Sequence, residues 1–317
     1  MPARPRTAAL ILACAALALA GCSAEEGGTP AAGKPTVPPK VTTTPKLTSA
    51  NDKGLPLDPY LLDPAEQEKL SSAYRALVGR CMKRFGLTYQ APQLPRQPQS
   101  EGPATRVDGR FGPQSASLAA RWGYHPPGGP PKQSKGAWAS DLQNLPPDYE
   151  LVLSGSDGRG AEGTKSAVNG QPVPKGGCDQ EARQQIAGST KPRESVDAKI
   201  ADDLKFATLV KAQQDERTRA VFAKWSACMA DRGYQYADPI AVAKDEKWTT
   251  TPQPTAQEIQ IAVADQDCRT KHNVVGIWFA VDEAYQRQAV EDNAEALAEV
   301  LKENESQLKR AADALTG

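Results

Sequence analysis

A chain of 317 residues, 39% of them hydrophobic, is long enough for one large domain or two small ones. Its 38 basic and 38 acidic side chains cancel, so no overall charge draws it to nucleic acid. With only two histidines, His125 and His272, a histidine-rich metal site is excluded.

The first element is a leader. Arg4 and Arg6 precede an apolar run from Ala8 to Ala20, too short for a membrane span of about 20 residues and right for a signal peptide. The run closes on "LALAGC", Leu17 to Cys22, which resembles the bacterial lipobox. There, Cys22 would receive a diacylglycerol thioether, cleavage would fall after Gly21, and palmitate would be among the attached lipids. An ordinary signal peptide with a chance cysteine is the alternative. On the lipobox reading, residues 1–21 are removed and the protein is anchored through Cys22 at the outer face of the cytoplasmic membrane.

Residues 22–54 are rich in proline, threonine, glycine and lysine and poor in large apolar side chains. They are expected to form a disordered tether, spanning roughly 30 Å for a flexible chain of that length. Beyond it, Asp63, Pro64 and Glu66 spell the start of a helix, with an N-cap, a proline at the first helical position and a capping box. Leu70, Tyr74, Leu77 and Cys81 give that helix one apolar stripe.

"AYRALVGRCMKRFGLTYQAP", Ala73 to Pro92, returns as "AVFAKWSACMADRGYQYADP", Ala220 to Pro239, at a constant offset of 147 positions. Each copy reads as a helix carrying Cys-Met, ended by Gly86 or Gly233 in a left-handed conformation. Without Cys14 in the leader and Cys22 at the anchor, four cysteines remain, an even number in an exported chain. Disulfides are expected; zinc is the competing reading, but no C-x-x-C occurs. The most economical pairing is one staple per half, Cys81–Cys178 and Cys228–Cys268.

Between Pro92 and Gly177 the chain is dense in turn formers and reads as an irregular insertion, with short regular pieces near Gln114–Trp122 and "DYELVLSG". Trp122, Tyr124, Trp138 and Tyr149 fall in this region. They either stack on a ligand such as a sugar ring or supply a small local core. His125, beside two prolines, reads as a turn residue.

From Ser195 the helical signal is strong. Ile200, Leu204, Ala207 and Val210 form a stripe that continues through "KAQQDERTR" into the second Cys-Met helix. Thr255 and Glu258 suggest another capping box, ahead of Ile261, Ala264 and Cys268 on one face. His272, four residues after Cys268, forms a thiol–imidazole pair only if that cysteine is free. The stretch from Asn273 onward reads as one long helix. Val290, Ala294, Leu297, Leu301, Asn304, Leu308, Ala311 and Leu315 make a heptad seam in it. The seam either packs back along the Ser195–Arg232 helix or pairs as a coiled coil with another chain.

"LPLDPYLLDPAEQEKL…CMKRFG", the "GGC" before a polar helix, and "IAVADQDCRTKHNVVGIWFAVDEAYQRQ" resemble a family of uncharacterised actinobacterial extracytoplasmic lipoproteins. The resemblance covers roughly Leu55 to Val290. It implies location and architecture and transfers no catalytic residue.

The expected fold is mainly α: a helical platform with two disulfide-stapled halves, residues 55–190 and 195–317, a Pro/Gly-rich irregular insertion and a long C-terminal helix. No zincin, serine-nucleophile, phosphate-binding or dinucleotide motif is present, so no catalytic residue, metal or cofactor is expected. The first functional reading is a non-enzymatic interaction or scaffold domain engaging another envelope protein. The alternatives are a cell-wall glycan or small-ligand binding module and, behind it, a carboxylate-dependent hydrolase.

Overall fold

The computed structural model describes residues 37–89, 109–128, 146, 148–156, 167–188 and 199–317. The leader, Cys22, residues 23–36 of the expected tether and Trp138 lie outside the described residues. The fold is mainly α, as its composition and periodicity predict.

Helix α1 (Pro64–Arg84) starts where its sequence says it should. Asp63 accepts from the Glu66 N–H at 2.7 Å, Glu66 accepts from the Asp63 N–H at 2.7 Å, and Pro64 occupies the first turn. Its inner face, Ala73, Leu77, Val78, Cys81 and Met82, is buried. The helices that follow are α2 (Ala116–Trp122), α3 (Tyr149–Ser154), α4 (Gly177–Ala187), α5 (Ile200–Gln214), α6 (Glu216–Ala230) and α7 (Pro239–Ala243). The last three are α8 (Ala256–Lys271), α9 (Val274–Asp292) and α10 (Ala294–Thr316). A two-residue hairpin, β1 (Ala167–Val168) with β2 (Gln171–Pro172), precedes α4.

The echo at offset 147 is structural down to its hydrogen bonds. Leu87 N–H closes on the Met82 carbonyl at 3.1 Å, and Tyr234 N–H closes on the Met229 carbonyl at 3.0 Å. The intervening Gly86 and Gly233 have φ of 73° and 85°, which only glycine adopts cheaply. Both methionines are fully buried. The disulfides are Cys81–Cys178 and Cys228–Cys268, with Cα atoms 5.6 and 5.8 Å apart. Each bolts the last turns of a Cys-Met helix to a later helix, α4 or α8.

Two main cores surround these staples. The first joins Leu77, Val78, Met82 and Phe85 to Tyr149, Val152, Val168 and Ala182. The second is built on Trp225 and Trp278, with Phe222 edge-on to Trp278 at 5.2 Å. A smaller cluster of Leu57, Leu61, Ala201, Leu297 and Val300 lies under the start of α10.

One question that the sequence leaves open is answered, and three expectations are corrected. First, the insertion contributes to the second core. Phe111, from the insertion, is fully buried in the second core, edge-on to Trp278 at 5.4 Å, and α2 packs on α8. Residues Pro38–Gly317 accordingly form one compact unit.

Second, the tether does not extend to residue 54. Residues 39–54 are a strap laid on the second core, with Val41 and Leu47 packed against it and Ala50 and Leu55 buried. Proline-rich backbone cannot join a ladder, so side chains from the helices hold it. Arg217 donates to the Pro39 carbonyl at 2.9 Å; Asn273 donates to the Pro45 carbonyl at 2.9 Å and accepts from Leu47 N–H at 3.0 Å. Gln114 accepts from Ala50 N–H at 2.7 Å.

Third, the expected terminal helix is two helices. Asn293, at φ −127°, ψ 23°, turns its amide onto the Ala289 carbonyl at 2.8 Å and ends α9, the local competition that asparagine offers a helix. Helix α9 runs along α5 and α6, whereas α10 crosses to α1 and α4. Seam residues Leu297 and Ala311 are thus buried inside the chain rather than in a coiled coil. The polar exception, Asn304, donates to the Tyr60 carbonyl at 3.1 Å. Arg310 caps the end of α4 through the Ile186 and Ala187 carbonyls.

Fourth, the stripe from Ile200 does not run unbroken into the second Cys-Met helix. Asp215 leaves the helical conformation (φ −62°, ψ 140°) and caps α6, accepting from Arg217 N–H at 2.9 Å.

The strap passes close over Gly276, where a Cβ would lie 2.0 Å from the Pro45 carbonyl oxygen. Gly276→Ala is therefore expected to lift the strap and cost about 1–3 kcal/mol, the usual penalty for overpacking. Limited trypsin digestion checks this: cleavage after Lys40 and Lys46 should accelerate in the variant, and unchanged protection would contradict the strap.

Candidate functional site

A groove of about 770 Å³ opens beside the second core, within the usual size range of ligand sites. One wall is polar, with Asn51 and Asp52 of the strap and Gln114 and Ser115 ahead of α2. The other is apolar, with Leu118 and Ala119 of α2 and the turn from Tyr124 to Pro127. The strap joins the polar wall through Gln114, whose amide donates to the Asn51 side-chain oxygen at 2.8 Å.

The turn is shaped by a glycine that allows a buried charge to come close. Gly123 has φ +58°, and a Cβ there would meet Glu258 Oε1 at 2.5 Å. That carboxylate, almost fully buried, accepts from Tyr124 N–H at 2.8 Å and faces His125 Nδ1 at 2.8 Å. The other ring nitrogen, Nε2, faces the Thr251 carbonyl at 2.8 Å. Both ring nitrogens therefore look at acceptors, which suits the doubly protonated imidazolium. Burial works to lower the His125 pKa, but the Glu258 and Thr251 bonds outweigh it and raise it above the ordinary value.

His125 thus lies in a turn, as its prolines suggest, and is there a buried strut with both ring nitrogens engaged. Glu258 serves it instead of closing the expected capping box. Thr255 still caps α8, accepting from Glu258 N–H at 3.1 Å.

A second buried network lies behind the apolar wall. Tyr124 stacks on Trp248 at 5.1 Å and donates to Asp265 at 3.1 Å. Asp265 also accepts from Trp225 Nε1 at 2.9 Å and from Arg269 at 2.6 Å. Arg269 then reaches the Phe111 and Pro239 carbonyls, each at 3.0 Å. Burial drives the Asp265 carboxyl upward from its usual range, and Arg269 is the main force opposing it. A third network joins Arg110 to Asp282, both buried, with Arg110 also donating to Thr208 at 3.1 Å. Each charge is matched and ties one element to another; the chemistry they perform is structural.

Among the described residues, the aromatic side chains that read as ligand contacts or local core are spread over both cores. Tyr149 is buried in the first core, where it cannot touch a ligand. Tyr124 packs against the second core and shows only part of itself to the groove. Trp122 is half-buried with the Arg121 guanidinium 5.4 Å over its ring, and Trp138 lies outside the described residues. Cys268 is disulfide-bonded, so no thiol–imidazole pair forms with His272. Among the described residues, no group of three or more potential metal ligands occurs, and no helix is long and apolar enough to cross a membrane.

The sequence does carry a signal for the buried charges. Glu258, Asp265 and Arg269 share the face of Ile261 and Cys268 on α8, where a solvated residue has no place. Their partners, up to 158 positions away, carry no such mark.

The His125 pair makes stability depend on pH. Because the folded pKa is raised, its contribution is fully present below about pH 6.5, the ordinary histidine value, and is lost as pH rises through the folded value. His272, whose pKa burial and then Lys271 and Lys224 lower, acts in the opposite sense, so the comparison must be with His125→Gln. Urea unfolding at pH 5.5 and pH 9 should show the wild type's advantage over the variant shrinking at the higher pH. An advantage equal at both would contradict a charged His125.

Comparison with known protein families, curated proteins and solved structures finds no match to this chain.

Proposed function

We propose that the chain is a lipid-anchored extracytoplasmic protein, held through Cys22 at the outer face of the cytoplasmic membrane, and that it acts as an interaction or scaffold domain of the cell envelope rather than as an enzyme. The observation that carries this reading is the pair of buried disulfides, one in each main core. A chain that closes both cores by oxidising four cysteines belongs in an oxidising compartment, and the Leu17–Cys22 run supplies the route there. The resemblance to actinobacterial lipoproteins supports the same location. A scaffold role is supported by the matched buried charges, which bind the chain to itself.

The groove favours a second reading, a binding module for cell-wall glycan or another small polar ligand. A polar wall of amides facing an apolar wall with tyrosine and prolines suits a molecule with hydroxyl edges and an apolar face. One experiment separates the two: co-sedimentation of the soluble Ser23–Gly317 fragment with purified, protein-free sacculi. The scaffold reading predicts that it stays in solution. Saturable pelleting, lost in an Asn51→Ala, Gln114→Ala variant, would instead establish the glycan module.

A further inference from the structure

Helix α5 is apolar on two opposite faces. Ala201, Thr208 and Ala212 are buried on the side that packs along α9. Diametrically opposite, Phe206 is 68% and Val210 49% exposed, one turn apart. Single exposed apolar residues need no explanation, but a phenylalanine and a valine side by side make a patch that calls for a cover.

Its surroundings carry little net charge. Lys199 and Asp203 pair at 3.1 Å at one end, Asp202 lies in the first turn, and Gln213 and Gln214 lie at the other end. Such a rim does not select an acidic or basic partner.

The length of chain between the fold and Cys22 bears on what covers it. Because residues 39–54 are fixed to the second core, only 17 positions separate Cys22 from Pro39, a reach of at most about 60 Å. Pro39 is held by Arg217, just past the end of α5 and within two turns of Val210. An anchor at Cys22 therefore keeps the bilayer within about 60 Å of this end of α5. Two side chains are too small a patch to hold a protein on a membrane alone. Tethering changes that, since the second contact forms at a high effective concentration, and one lipid signal commonly needs a second for stable attachment.

We infer that the Phe206–Val210 face of α5 rests on the outer leaflet of the membrane in which Cys22 is anchored. The inference depends on the lipid-anchor reading of Cys22. Apolar insertion rather than charge drives the contact, so it should be the same on neutral and anionic lipid.

The test uses the acylated full-length protein in phosphatidylcholine vesicles, with and without phosphatidylglycerol. An environment-sensitive fluorophore is placed at Phe206→Cys or, as a control, at the exposed Glu305→Cys on α10. In the floated fraction, the probe at 206 should shift to the blue and lose iodide quenching on both lipids, while the probe at 305 should not change. A Cys22→Ser chain should show neither effect. A chain that floats with the 206 probe still in water overturns the docking face and leaves the anchor standing. A wild-type chain that does not float overturns both. A blue shift that grows with protein concentration without vesicles assigns the face to a second copy and also overturns the inference.

Discussion

Arg269→Met is expected to be among the most damaging single substitutions in the protein. It leaves the Asp265 carboxylate fully buried without its cation and strips the Phe111 and Pro239 carbonyls of their donor. Removing one partner of a buried ion pair costs about 3–5 kcal/mol, a large share of the 5–15 kcal/mol that holds a typical domain together. The effect should spread from α8 to the Phe111 turn and to α7, because the guanidinium joins all three. Equilibrium urea unfolding measures it directly. The double variant Asp265→Asn, Arg269→Met should be less destabilised than the single one, since no unpaired charge then remains buried. Equal losses would show that the pair's packing, and not its charge, is what matters.

Loss of the Cys81–Cys178 staple should split the unfolding transition. Chain entropy sets an upper figure of about 4.7 kcal/mol for this loop and about 3.9 kcal/mol for the Cys228–Cys268 loop. The two losses are not equivalent, because the first core is the smaller and contains no tryptophan among the described residues, whereas Trp225, Trp248 and Trp278 all report on the second. The part of the insertion carrying Phe111 and Tyr124 is held by the second core and does not depend on the first staple. In a Cys81→Ala, Cys178→Ala variant, helical circular dichroism should therefore begin to fall at lower urea than tryptophan emission. In the Cys228→Ala, Cys268→Ala variant both signals should move together. Coincident transitions in the first variant would mean that α10, which bridges the halves, couples the cores into one cooperative unit.

What the sequence reveals and what it hides follow from the range of the interactions. The start of α1 is written within four residues, Asp63 to Glu66, and is found as written. The repeated Cys-Met helix end needs only the chain from Met82 to Leu87 and from Met229 to Tyr234, and the disulfide pairing inferred from it is the one present. The strap is hidden because its anchors, Arg217 and Asn273, are 178 and 228 positions away, while its own composition is that of a disordered segment. The break at Asn293 is hidden because the heptad spacing continues through it, and one asparagine cannot be told from a polar position on a continuous helix. His125 sits in the turn that Pro126 and Pro127 predict, but its bond to Glu258, 133 positions off, is hidden for the same reason as the strap. Of the two tyrosines that read as ligand contacts or core, Tyr149 is buried in the first core, whereas Tyr124 packs on the second core and also lines the groove.

The groove was not legible at all, since its walls come from the strap, the insertion and α7. In its polar wall, Gln114 holds Ala50 and Asn51 in place. The strap therefore links two proposals: it forms part of the groove and shortens the chain between the fold and Cys22.

The central claim, an exported and acylated protein with two oxidised staples, is tested most directly by intact mass spectrometry of the full chain recovered from bacterial membranes without reduction. The account predicts a chain that begins at Cys22, carries diacylglycerol and a further fatty acid on that residue, and lacks four hydrogens for the disulfides Cys81–Cys178 and Cys228–Cys268. A mass corresponding to unmodified Met1–Gly317 with free thiols would contradict it.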